Sequence, residues 1–528
     1  MKEKLIKYGC LLLVLIVVAS TCMMFADSKS GLFIDEIYTF GLANNHEGPF
    51  LDSLVGGSVN NKIMTRQDLL DYVVVNEDQR FDFKAVYDNQ ANDVHPPLYY
   101  WLFNIAYSFF PGLFSKWPAM VLNIFIYLAA LVLMYALVKE LFGSELAALA
   151  GAGIYGLSLV GMSTMLMIRM YVLVTMLTVL LSYLIARLMR EKKTSLYILT
   201  GLTIFAGLMT QYYFVFYAFF LCAAFVFYSL YKKDYKGVAV FALYAFAGVG
   251  LMIVCFPYCF DHLFADSIVS GGNAIENLSN PSQYLERLSY YYKEVRHGLK
   301  AAVIVGLAAA AALLLFFKRF VKCVKEKEID FKALVFIVPA LVTLVLVAII
   351  SPVLDTRYVY NIMPVFVLAV CMLIAWLEKS SGHIRFFAVG KWPVLLGVLL
   401  FCLWIARMST PSYQYPEHID YNNVLSGHSD DPCIFLTDSF HPPVSEALVQ
   451  LLNFDELLMV PSPKSDTLDA YLESHDSDEC IVFIDINDFW SSGLDPEEML
   501  PQFIENTEYS EYQLLYSYGL SQTYLFTK

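Results

Sequence analysis

The chain has 528 residues, 58% of them hydrophobic and 16% charged, with a formal net charge of −14. That much apolar surface exceeds what one soluble core of this length buries, so lipid is the expected solvent. The acidic surplus lies in a few longer connectors and in the C-terminal tail, while the connectors between apolar runs are basic, a distribution that excludes a nucleic-acid footprint.

Runs near the ~20 apolar residues needed to cross the hydrocarbon core recur about eleven times. They fall at 8–26, 117–138, 145–162, 170–189, 196–210, 213–231, 237–257, 299–317, 333–350, 359–377 and 392–408. The first follows Lys2, Lys4 and Lys7, and no small-residue cleavage site follows it, so it reads as an uncleaved anchor. Lys139, the Arg187–Lys193 cluster, Lys232, Lys233 and Lys236, the Lys318–Lys332 stretch, and Lys379 with Arg385 and Lys391 occupy alternate connectors. The positive-inside rule puts these with the N-terminus in the cytoplasm. The connectors 27–116, 163–169, 211–212, 258–298 and 351–358 and the tail then face outward. The aromatic run 97–110 is too short to span and reads as an interfacial or partly re-entrant helix.

The outward connectors carry the candidate chemistry, because ionisable side chains at the membrane face are costly and mark function. Asp35 and Glu36 follow the first span; a carboxylate whose pKa is raised near lipid serves as a general base, and the alternative is a solvated acidic loop start. The first outer loop ends in Asp93-Val94-His95-Pro96-Pro97-Leu98. The prolines set up a helix start, where free N–H groups favour an anion such as phosphate. The same tripeptide at His441-Pro442-Pro443 looks like a plain helix start. Arg169, followed by Tyr171, is a lone cation in an apolar setting, and either pairs with an anion or snorkels to the interface. Gln211 and Tyr212 form a polar turn that also fits an interfacial aromatic belt. Arg357 and Tyr358 open a late span; the guanidinium suits a lipid phosphate, or pairs locally with Asp355. The 258–298 connector adds His262, Asp266, Tyr290–Tyr292, Arg296 and His297 in no interpretable spacing.

From about 409 the pattern changes to short β-rich runs (433–437, 456–460, 480–486, 512–518) between helical ones (444–452, 467–474, 496–504). This predicts a small α/β domain with a mainly parallel sheet. It holds no glycine-rich phosphate loop or catalytic motif, which favours recognition or scaffolding. The domain plan is therefore 1–408 membrane-embedded, with a first outer loop of 27–116, and 409–528 extracytoplasmic. Of ten cysteines, most read as small buried hydrophobes; Cys433 and Cys480 open strands and are candidates for a disulfide.

In their order, these motifs resemble the polytopic GT-C glycosyltransferases, in particular the protein O-mannosyltransferases and the lipid A aminoarabinose transferases. The acidic pair Asp35-Glu36 after the first span, His95-Pro96-Pro97-Leu98 closing the first outer loop, Arg169 with Tyr171, and Arg357-Tyr358 carry the resemblance over roughly residues 1–410. Gln211 departs from it, since such proteins often place His or Lys there. The resemblance implies a GT-C type fold of about eleven transmembrane helices in the plasma membrane, with a small C-terminal α/β domain. It implies inverting transfer of a sugar from a polyprenyl-phosphate donor to a protein, glycan or lipid acceptor on the outer face. Asp35, with Glu36, would be catalytic; His95, Arg169, Arg357 and Tyr358 would hold the donor phosphate; Asp93, Tyr171, Gln211 and Tyr212 would line the substrate site. A divalent metal is used by some relatives, with Glu36, Asp93 and His95 as the available ligands, and is left unassigned. The competing readings are a transporter or lipid flippase, which predicts mid-membrane charges and an inverted repeat, and a non-catalytic membrane scaffold.

Overall fold

The structure, a computed structural model, describes residues 2–51, 61–264, 271–326, 329, 331–381, 385–438, 441–475, 477–487 and 493–528. Its packing divides the chain into two units, a helical unit of residues 1–27, 94–99 and 120–412, and a sheet unit of residues 28–93, 100–119 and 413–528.

Each of the eleven apolar runs lies on helix in the helical unit. Among the described residues, six helices are long and apolar enough to cross a bilayer: Tyr8–Asp27, Trp117–Phe142, Tyr171–Leu188, Phe214–Tyr231, Tyr235–Cys255 and Thr356–Ser381. Two bent pairs raise the number to eight. Glu145–Gly156 and Leu159–Leu166 meet at 57°, and Pro281–Gly298 and Lys300–Leu315 at 79°. The remaining apolar helices, Thr194–Leu208, Leu334–Ile350 and Trp392–Arg407, are shorter. At ~1.5 Å per residue the first two cover roughly 25 Å, short of the ~30 Å core, whereas the last is part of a helix that runs Arg385–Arg407, 23 residues, long enough to span. Among the described residues, length and composition support six to eight of the eleven expected spans.

The break in the first bent pair has a local cause. Ser158 takes an extended backbone and its hydroxyl accepts from Gly161 N, so it ends one helix and caps the next. Leu159–Leu166 then delivers the chain to Met167 and Arg169.

The sheet unit is built on six strands: β1 Lys62–Thr65, β2 Cys433–Leu436, β3 Glu456–Val460, β4 Glu479–Asp485, β5 Glu511–Tyr518 and β6 Ser521–Thr527, in the order β1-β3-β2-β4-β6-β5. Only the centre is parallel, β3 with β2 and β2 with β4, and the three outer pairings are antiparallel. The central strands β2 and β4 are buried almost throughout, as continuous apolar runs covered on both faces require. The edge strand β5 is largely exposed.

Two strands escaped the pattern reading. The alternation in β6 is interrupted by polar residues, and β1 comes from the first long connector, pairing Lys62–Thr65 against Met459–Glu456. The division by packing therefore differs from the one by chain order at 408/409: residues 28–93 and 100–119 belong with the tail. The run around 97–110 forms a ten-residue helix, Leu98–Tyr107, whose Tyr99, Tyr100, Phe103 and Tyr107 are buried.

Cys433 and Cys480 are both free thiols. Cys433 stands opposite Ile481 on β4, so Cys480 is one residue out of register. Successive strand residues point to opposite faces, and the two sulfurs cannot be bridged.

Candidate functional site

In the helical unit the candidate residues sit where helices end. Leu98 N donates to Met209 O (2.9 Å), tying the His95-Pro96-Pro97-Leu98 segment to the turn that carries Gln211 and Tyr212. One step further, Tyr99 Oη donates to Asn123 Oδ1 (2.8 Å), and Asn123 Nδ2 donates to the carbonyls of Met165 (3.0 Å) and Met167 (2.9 Å). Asn123 is fully buried, and it fixes the strand of backbone that presents Arg169.

Arg169 itself is 4% exposed, which rules out the snorkelling alternative, and its guanidinium lies 3.4 Å from His95 Nε2. A guanidinium only donates, so this contact makes Nε2 the acceptor and leaves the ring proton on Nδ1. Tyr171 is buried and meets Tyr360 edge-on at 6.0 Å. Tyr358 packs against Tyr213 at 5.1 Å, and the Arg357 guanidinium lies 5.4 Å from the Tyr358 ring centre. Arg357 also pairs with Asp355 (3.3 Å), whose carboxylate caps the short helix Thr356–Ile362 by accepting from Arg357 N. The local pair anticipated for Arg357 is therefore present. Gln211 is buried, and Tyr212 Oη is 2.9 Å from Nδ1 of His262, a residue of the 258–298 connector with no readable spacing. Asp266 of that connector lies outside the described residues.

Asp35, Glu36 and Asp93 belong to the sheet unit. Asp35 and Glu36 occupy the first turn of the helix Ile34–Asn44. They differ sharply. Glu36 is fully buried, accepts from Phe33 N (2.7 Å) and is paired with Lys29 (2.9 Å), itself fully buried. Lys29 also donates to Tyr413 O and lies 5.4 Å from the Tyr415 ring centre. Burial holds the Lys29 ammonium below the usual lysine range, and the Glu36 carboxylate opposes that shift. Asp35 is half-buried. Of the acidic pair, Glu36 is a structural anchor. Lys29 was not readable as a partner, although a lysine just past the outer end of the first span stands against the charge rule.

Two residue sets bear on metal binding. Glu36 is committed to Lys29 and Phe33 N, which weakens it as a ligand. Among the described residues, His428, Asp431 and Glu479 of the sheet unit bring ligand atoms together, with His428 Nδ1 at 2.9 Å from Asp431 and 3.2 Å from Glu479. An Nδ1–H shared between the two carboxylates accounts for those distances.

Residues 94–259, which carry His95, Arg169, Gln211 and Tyr212, match the family described as dolichyl-phosphate-mannose-protein mannosyltransferase. Among solved structures, ArnT from Cupriavidus metallidurans bound to undecaprenyl phosphate matches with a TM-score of 0.51 at 12% identity, covering 98% of each chain. The resemblance to the GT-C glycosyltransferases holds. The apo form of the same ArnT matches with a TM-score of 0.48 at 10% identity, again over 98% of each chain. No curated protein matches by sequence. With its apolar helices and a fold like that of ArnT, the chain is a multi-pass membrane protein.

Proposed function

We propose that the protein is a membrane glycosyltransferase that moves a sugar from a polyprenyl-phosphate donor to an acceptor on the outer face of the plasma membrane, with inversion. The observation that carries this reading is the buried Arg169 beside His95, held at helix ends by the Tyr99–Asn123–Met167 bonds. A permanent cation buried with an imidazole suits an anion that arrives and leaves. The ArnT of similar fold was crystallised with undecaprenyl phosphate, a lipid monophosphate of the kind such a donor releases.

In the reaction, the acceptor hydroxyl gives its proton to the Asp35 carboxylate as its oxygen bonds to the anomeric carbon. The bond from that carbon to the phosphate oxygen breaks, and the electron pair leaves with the lipid phosphate. His95, Arg169 and Arg357 offset the charge that develops there, with Tyr358 alongside. Asp93, Tyr171, Gln211 and Tyr212 are assigned to substrate binding in this reading.

The test separates the two roles. Full-length protein in vesicles is given polyprenyl phosphate alone in a binding assay, and polyprenyl-phosphate hexoses in a transfer assay. Arg169→Gln is expected to weaken polyprenyl phosphate binding at least tenfold, about 1.4 kcal/mol. Asp35→Asn is expected to keep that binding and to lose transfer by roughly 10²–10⁴-fold. Wild-type protein that does not bind the lipid phosphate, or an Asp35→Asn variant with undiminished transfer, overturns the reading.

A further inference from the structure

In the helical unit the apolar helix Lys300–Leu315 is followed by a short helix of different character, Phe317–Lys325. Phe316 separates the two: its backbone breaks the helical geometry, and its carbonyl accepts from Arg319 N and Phe320 N (both 2.9 Å), opening the second helix. At ~100° of turn per residue, Lys318, Arg319, Lys322 and Lys325 fall within an arc of roughly 120°. Phe317, Phe320, Val321, Cys323 and Val324 take the opposite side.

Part of the apolar side is used inside the unit. Phe320 packs on Trp376 at 5.5 Å and Cys323 is buried. Arg319, at the margin of the basic arc, donates to Ser381 O (3.3 Å) at the end of the helix Met363–Ser381. These contacts fix the rotation of the short helix and turn its basic side outward, so that Lys318, Arg319, Lys322 and Lys325 are all exposed. Among the described residues neither Lys318 nor Lys325 has a carboxylate at ion-pair distance, and Lys322 meets only Glu326, at 3.7 Å with both side chains exposed. An exposed pair at that distance neutralises little. By contrast, the basic clusters around Lys139 and Arg187–Lys193 are met by Glu140, Glu145, Glu191 and Asp234. In a chain of net charge −14, this helix keeps its positive charge on the surface.

The surface beside the cations is apolar. Leu314, Leu315 and Phe317 are 70%, 82% and 57% exposed. Side chains of this size are stable against acyl chains, so the junction of the two helices lies at the edge of the hydrocarbon. From there the lysine stems, up to two turns further along, reach the headgroup level. We propose that the basic side of Phe317–Lys325 is a binding surface for anionic phospholipids in the leaflet that meets the end of Lys300–Leu315. Lys318, Lys322 and Lys325 contact the headgroup phosphates, and Leu314, Leu315 and Phe317 lie against the acyl chains. A lipid brings an anion and an apolar chain in the spatial order found here, whereas an acidic protein segment would answer the cations and leave the leucines bare. Each lysine held near an anionic leaflet contributes about a fivefold preference for it. The surface is separate from the candidate donor-phosphate residues. Trp376 and Arg357 stand toward opposite ends of Thr356–Ser381, roughly 30 Å apart along the helix, so the proposal does not depend on the transferase reading.

The experiment is native mass spectrometry of the full-length protein released from nanodiscs of phosphatidylglycerol and phosphatidylcholine in equal amounts, read as the ratio of the two lipids retained. Wild type is expected to retain phosphatidylglycerol preferentially, less so from nanodiscs prepared at high salt, because exposed charges are screened. Lys318→Gln, Lys322→Gln and Lys325→Gln combined are expected to lower the ratio at least about fivefold. That variant leaves Arg319 and the Phe320–Trp376 contact in place. The corresponding triple lysine-to-arginine variant, which keeps the charge, is expected to hold the wild-type ratio. Equal retention of the two lipids by wild type overturns the proposal. So does a preference that survives in the glutamine variant, which would place the anionic lipid elsewhere on the helices, or one lost equally in the glutamine and arginine variants, which would make the lysines structural.

Discussion

The helical unit and the sheet unit hold their polar groups in opposite ways. In the helical unit the candidate side chains are donors, Arg169, His95, Arg357 and the phenols, and they are set at helix ends by bonds to main-chain carbonyls. In the sheet unit they are mainly carboxyl groups, Asp35, Glu36 and Glu446, set against main-chain N–H groups and the buried Lys29. In the helical unit Arg357 meets a neighbouring carboxylate, Asp355, while Arg169 is buried beside His95. A soluble unit can neutralise a carboxylate internally, and whether it does so decides which acid remains available.

The adjacent pair Asp35 and Glu36 gives that contrast its strongest test. Glu36→Gln leaves the Lys29 ammonium buried with only a carbonyl and a ring for company. Breaking a buried pair from one side costs about 3–5 kcal/mol. Thermal unfolding in detergent is expected to show that loss for Glu36→Gln and almost none for Asp35→Asn, whereas transfer should fall in Asp35→Asn at temperatures where it is folded. Equal destabilisation by both would mean that the two acids share one structural role.

The next effect in size is one of pH. Pushed up by burial, the Glu446 carboxyl titrates near 7 in the folded protein and near the model-peptide value of 4.5 when unfolded. The native state therefore holds the extra proton between those values, and stability falls as pH rises through the window, levelling off above about 7. The full difference amounts to roughly 3 kcal/mol. Glu446→Gln is expected to flatten this dependence and to be the more stable protein at pH 8, as read by unfolding at a series of pH values. A wild-type curve that rises across the same window would show that Glu446 is solvated.

Chain reading found the helical unit more completely than the sheet unit, for a physical reason. Lipid imposes a length and a composition on every span, so the apolar runs announced themselves, and charged residues such as Arg169 and Arg357 stood out against them. Even there, length limits showed only when the helices were measured, and the bend at Ser158 turned one run into two helices. In the sheet unit the central strands were legible as buried apolar runs. The edges were not, because β1 pairs with β3 across nearly four hundred residues of chain. Asp35 and Glu36 looked alike in sequence, and only the position of Lys29 separates them.

The smallest predicted effect returns to the helical unit and tests whether its donors depend on placement or merely on presence. Asn123→Leu keeps the volume of the side chain but withdraws both amide bonds from the carbonyls of Met165 and Met167, and the acceptor of Tyr99. Buried groups left without partners cost about 1–3 kcal/mol. If the backbone before Arg169 is held by those bonds, the guanidinium loses its position beside His95 without any change to its own chemistry. Polyprenyl phosphate binding by Asn123→Leu is then expected to weaken severalfold. Asn123→Asp, which keeps one acceptor for Tyr99 but sets a carboxylate against two carbonyls, is expected to be worse than leucine in both stability and lipid binding. Unaltered lipid binding in both variants would mean that Arg169 is positioned by the packing of its own helix ends, and that the asparagine serves only to satisfy two buried carbonyls.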